Sequence, residues 1–175
     1  MQHVVEASKL ELVSTKPTFN TFARPLDLVR ISLLDLMVEN RDRNRNNLNL
    51  LVSQEKKREL IVIDHYNTFG GPENAGKTLS ASAPFVDATL LGTGFCRSIL
   101  HYMDREKLIN EVDAFANSYA SVDVEETVDD VLDQMPDEWP ISMNLRSQLK
   151  QFLDDNVRIK EVTDKTRKFI LSNYH

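Results

Sequence analysis

The chain has 175 residues, a formal net charge of −6, and 41% hydrophobic against 27% charged residues. That length supports one folded unit with a substantial core, and the acidic balance excludes broad nucleic-acid binding, which needs a net basic face. No apolar run approaches the roughly 20 residues of a bilayer span. The N-terminal MQHVVEASKLELVS lacks the basic start and apolar stretch of a secretory signal, and the single cysteine, Cys96, excludes an intrachain disulfide and a cysteine-cluster zinc site. These features lead to the expectation of a soluble cytoplasmic protein without membrane contact.

Residues 1–24 read as a weakly structured extension, with Leu10 to Val13 as a short strand and Lys16-Pro17-Thr18 as a turn. Pro25 introduces a helix over Leu26 to Glu39. Its apolar residues Leu28, Val29, Ile31, Leu33, Leu34, Leu36, Met37 and Val38 cover nearly the whole circumference, so it is buried on most sides. Residues 40–47, NRDRNRNN, are turn formers. Arg41, Arg43 and Arg45 repel one another there unless an anion or carboxylates lie close; otherwise they form a solvated basic turn. Leu48 to Val52 and Leu60 to Ile63 form a β-hairpin that delivers Asp64, followed by a long loop over residues 65–84. Cys96, within LLGTGFCRSIL, reads as a small core residue. Asp104 caps a helix to about Ala120, and Asp123 with Glu126 forms a capping box for a second helix through Met135. Pro136 stops that helix in a rigid turn around Trp139. Ser142 caps a third helix with a stripe of Leu145, Leu149, Phe152, Leu153 and Val157, which leaves residues 161–175 as a helix end or tail. The fold class is α+β, predominantly helical.

Three residues form a constellation. Asp42 begins the loop after the buried helix, Asn47 ends it where the first hairpin strand begins, and Asp64 follows the second strand, so the hairpin returns Asp64 toward Asn47. Phosphoryl transfer needs positioning, an orienting group for the nucleophile and hard oxygen ligands for magnesium. An Asp, an Asn five residues on and a second Asp after a hairpin supply these in the protein-kinase order. Singly, Asp42 and Asn47 are ordinary turn residues, and Asp64 is a cap for the next turn. His65 either orients Asp64 or is an ordinary hydrogen-bonded histidine.

The two segments ENRDRNRNNLNLLV (39–52) and LIVIDHYNTF (60–69) resemble the HipA-like protein kinases of bacteria. Asn40, Asp42, Arg43, Asn47, Ile63, Asp64, His65 and Phe69 fill that family's pattern; Asn44 stands where a His is frequent. The Asp-Arg start is also similar to that of phosphatidylinositol kinases. Pro84-Phe85 and Pro136-Asp137-x-Trp139 resemble one branch of the family, and the likeness spans residues 25–160. It implies a protein-kinase-like C-terminal lobe whose hairpin carries the catalytic loop. It implies Asp42 as catalytic aspartate, Asn47 and Asp64 as magnesium ligands, and Arg43 with them in handling ATP. Mg2+ and ATP are the implied cofactors, and a protein Ser/Thr hydroxyl is the implied acceptor. The phosphate-covering loop and lysine of a complete kinase have no counterpart in residues 1–24, which contain no glycine. The implied alternatives are a truncated kinase, one served by a separate N-terminal-lobe chain, or a non-catalytic pseudokinase that binds a regulatory, antitoxin-like partner. A competing motif is Gly71 to Thr78, GPENAGKT, which matches a P-loop literally. The preceding strand ends too early to feed it, and Pro84 breaks the helix that should follow.

Overall fold

The computed structural model describes residues 10–12, 22–53, 58–70, 86–136, 138 and 142–175. The strands are β1 (Leu10–Leu12), β2 (Leu50–Ser53) and β3 (Leu60–Val62). The helices are α1 (Asp27–Met37), α2 (Gly94–Leu100), α3 (Arg105–Ala120), α4 (Val124–Asp133), α5 (Met143–Leu153) and α6 (Asn156–Asn173). Single 3-10 turns occupy Thr68–Gly70, Val86–Ala88 and Leu90–Gly92. The result is α+β and mostly helical, with one small antiparallel sheet in the order β1-β2-β3. Strands this short are not stable singly. Here β2 pairs on both sides, Leu50 opposite Val62 and Val52 opposite Leu60 on one edge, and Leu51 opposite Leu12 on the other. The period of two turns Leu50 and Val52 into the core.

Helix α1 is the central element and packs against both α3 and α6. Leu28, Leu33 and Leu36 of α1 share a core with Leu90, Leu91, Ile99, Leu108, Val112, Val162 and Ile170. Cys96 is fully buried, as expected, and burial drives its thiol pKa upward. The capping expectations match for three helices. The carboxylates of Asp104 and Asp123 accept from the amides of Glu106 and Glu126, and the Ser142 hydroxyl accepts from Leu145 N.

The C-terminal part differs from the sequence reading. The helix begun at Ser142 stops at Leu153, and Asp155 starts a new one by accepting from the amides of Val157 and Arg158. Val157 therefore leaves the proposed stripe and is 75% exposed. Of the two readings of residues 161–175, the helix end is the one formed: α6 runs to Asn173, burying Arg158, Val162, Thr163, Thr166 and Ile170, with Tyr174 beyond it. The burial spacing is helical, but Arg and Thr occupy three of its five places, which hides the apolar stripe. The Thr163 and Thr166 hydroxyls donate to carbonyls one turn back, Ile159 O at 3.1 Å and Val162 O at 2.8 Å, so their burial leaves no unmet donor.

Helices α4 and α5 pair through charge. Arg146 reaches Asp129 at 2.8 Å and Asp133 at 2.6 Å, and Lys150 reaches Asp129 at 2.7 Å. Lys150 and then Arg146 hold the Asp129 carboxyl below its ordinary value of 3.8. A depressed folded-state pKa gives stability that is present above 3.8 and lost as pH falls through the folded value. Acid titration followed by circular dichroism should show helix loss in this pH range, and Asp129→Asn should flatten that part of the curve. Superimposable titrations would mean the pair contributes nothing. Among the described residues no helix is long and apolar enough to cross a membrane.

Candidate functional site

The α1 helix ends where Val38 N donates to Leu34 O, and Glu39 then turns the chain with a left-handed φ of 52°. Asp35, on the last full turn of α1, is 1% exposed. A carboxylate buried this deeply needs partners, and it has two. Asn40 Nδ2 donates to Asp35 Oδ1 at 2.9 Å, and Arg43 Nε donates to Oδ2 at 2.9 Å. Burial pushes the Asp35 carboxyl above its ordinary range; Arg43 foremost, then Asn40 and the charge of His65, pull the other way.

Arg43 is the centre of the loop. Its guanidinium has no exposed surface, and Nη1 donates to Asn49 O at 2.5 Å, Ile63 O at 3.1 Å and Leu48 O at 3.4 Å. One side chain thus ties the end of α1 to the residues just before β2 and just after β3. Ile63 N donates to Asn49 O at 3.1 Å, extending the hairpin ladder by one step. Arg43 was expected among the ATP-handling residues, but with its charge directed inward onto Asp35 it is placed to position the loop.

The other expected residues lie around this knot. Asp42 is half-buried: its amide donates to Asn40 Oδ1 at 3.2 Å, and its Oδ2 accepts from Asn49 Nδ2 at 3.0 Å. Asn47 is exposed, and its backbone pairs with Asn44 at 2.8 and 3.2 Å. Asp64 is exposed, directly follows Ile63, and accepts from Tyr66 N at 3.1 Å through Oδ1. That is the turn-capping bond expected of it, and it comes from Tyr66 rather than His65. The hairpin therefore gathers the Asp42 loop, Asn47 and Asp64 at one end of β2 and β3. All four non-glycine residues with positive φ among the described residues flank this end: Glu39, Asn49, Asp64 and Phe69. Such conformations cost about 1–3 kcal/mol each and collect at functional sites.

No protein-family model, curated protein or solved structure matches the chain. The site therefore rests on its own geometry.

That geometry includes residues the sequence reading passed over. Asn49, lodged between Leu48 and Leu50, holds the Asp42 carboxylate. Arg158 of α6 is fully buried and donates to Leu36 O at 2.5 Å and Met37 O at 3.0 Å, satisfying the terminal carbonyls of α1. It also lies 3.6 Å from the Glu39 carboxylate and stacks 4.1 Å above the Phe152 ring. Phe69 meets Phe152 edge to face at 6.0 Å, and its amide donates to Val38 O at 2.6 Å. One signal was present in the sequence: Asp35, set among Leu33, Leu34, Leu36 and Met37, asks for a cation.

Among the described residues, no three His, Cys, Asp or Glu side chains group to hold a metal ion. Asn47 and Asp64 offer one neutral oxygen and one carboxylate. That donor set suits magnesium, which binds through one or two carboxylates and takes its remaining ligands from phosphate and water. The motif at Gly71 to Thr78, with Lys77, lies outside the described residues, as do Lys9, Lys16, Pro84, Phe85, Asp137 and Trp139.

Proposed function

We propose that this chain is a kinase-type phosphotransferase of the HipA-like kind, its α+β body acting as a C-terminal lobe that transfers the γ-phosphoryl of Mg-ATP to a protein Ser/Thr hydroxyl. The observation that supports this best is the convergence of Asp42, Asn47 and Asp64 on one hairpin end, with Asp42 braced by Asn49. Asn49 fixes one Asp42 oxygen, which leaves the other to accept the proton of an incoming hydroxyl. Asn47 and the second oxygen of Asp64 would hold magnesium, which would supply positive charge to offset that of the phosphates. Arg43 and Asp35 keep the loop in shape, and a partner chain carrying a phosphate-covering lobe would close the nucleotide from the other side.

Calorimetric titration with Mg-ATP tests this. Saturable binding is expected, lost in Asp64→Ala and kept in Asp42→Asn. Transfer to a protein acceptor should fall roughly 10²–10⁴-fold in Asp42→Asn. No binding up to millimolar ATP would reject an autonomous kinase. A partner-binding function that survives both substitutions would instead mark a non-catalytic interaction protein.

A further inference from the structure

α2, the Val86–Ala88 turn and the C-terminal half of α6 border an open surface groove of about 560 Å³, within the volume range of small-molecule sites. Along α6 its nearest cation, Lys165, is seven residues past Arg158, or about 10 Å at 1.5 Å per residue. Arg97, Lys165 and Lys168 line it against a single lining carboxylate, Asp87. This is an unusual balance in a chain of net charge −6.

The pairing of these cations sharpens the contrast. On α6, Arg158 lies against Glu39, Lys160 and Arg167 pair with Asp164, and Lys165 pairs with Glu161. Lys168 has no ion pair among the described residues, and neither does Arg97 across the groove. Like charges facing one concavity repel and focus a positive potential there, which an anion relieves. An arginine supplies a planar fork of donors and a lysine a compact charge, a combination suited to phosphoryl oxygens. The half-buried Phe169 ring gives the groove an apolar wall, and Ser172 adds a hydroxyl. We propose that this groove binds a small phosphorylated molecule, with Arg97 and Lys168 as its principal phosphate ligands. The acidic surroundings disfavour a long polyanion such as a nucleic acid.

The test is calorimetric titration with inorganic pyrophosphate in magnesium-free buffer at low ionic strength, which leaves the proposed magnesium site out of play. Saturable one-to-one binding is expected. Arg97→Gln or Lys168→Ala should weaken it about tenfold or more, the loss of a charge-assisted hydrogen bond. Lys107→Ala on α3 and Asp64→Ala should leave it unchanged. Circular dichroism of each variant separates lost binding from lost folding, because Lys168 also sits favourably near the negative end of α6. The proposal is overturned by the absence of saturable binding, by equal binding in both groove variants, by loss of binding in Asp64→Ala, or by equal affinity for citrate. That last result would mark a general counterion effect.

Discussion

Arg43→Ala is expected to lower the free energy of unfolding by about 3–5 kcal/mol, a large fraction of the ~5–15 kcal/mol that holds a domain folded. The substitution strands Asp35, 1% exposed, as a buried carboxylate with Asn40 as its remaining partner. It also removes the donor shared by Leu48 O, Asn49 O and Ile63 O. Asp35→Ala should cost a similar amount, because it leaves a buried guanidinium without its counter-ion. The double replacement Asp35→Leu with Arg43→Met should recover part of the loss, since removing both members of a buried pair is often close to neutral. Recovery stays incomplete because Leu48 O and Ile63 O lose the Arg43 donor, while Asn49 O keeps only the Ile63 amide. Urea denaturation of the four proteins measures all of this, and a shift below about 1 kcal/mol for Arg43→Ala would show that the knot does not hold the hairpin to α1.

The second large effect is expected at Arg158. Arg158→Ala removes the donor to Leu36 O and Met37 O, the charge facing Glu39 and the stack on Phe152. Glu39 is 4% exposed and its Oε1 has no hydrogen-bond donor even in the intact protein. Removing the buried cation leaves this carboxylate with only the exposed Arg41 at 3.9 Å, and the loss should again be about 3–5 kcal/mol. Arg158→Lys should restore only part of it, because an ammonium on a flexible stem cannot span two carbonyls and a carboxylate as a planar fork does. Hydrogen exchange gives the local readout: the amides of residues 38–42 should lose protection in Arg158→Ala before those of α3. Uniform protection in that variant would place the arginine outside the loop's support.

The contrast between these two arginines shows what the sequence made legible. The hairpin, the helix before it and the caps at Asp104, Asp123 and Ser142 follow from local signals of periodicity and side-chain chemistry, and the structure forms them. Arg43 was noticed because it sits in a run of three arginines. Its inward direction depends on Asp35, a buried charge in a helix read only for its apolar content. Arg158 was invisible for a different reason. Its helix buries threonines satisfied by their own carbonyls, and Asp155 was read as the interior of one helix when it is the cap of the next. Asn49 escaped because a polar residue between leucines reads as the outward face of a strand, whereas here it precedes β2 in a left-handed conformation with φ 46°. Side chains that act across the chain leave little trace in local pattern.

The bonds from Arg158 to α1 span 121 and 122 positions of sequence. Contacts that distant form late, because a long loop must close before they return any energy. While the protein is being synthesised, the turn at Glu39 and the Asp42 loop behind it emerge long before the helix that supports them. The segment most exposed to a misplaced charge is therefore the last to be secured. A chain interrupted before α6 would carry every residue of the Asp42, Asn47 and Asp64 set and still lack the support that gives the set its shape.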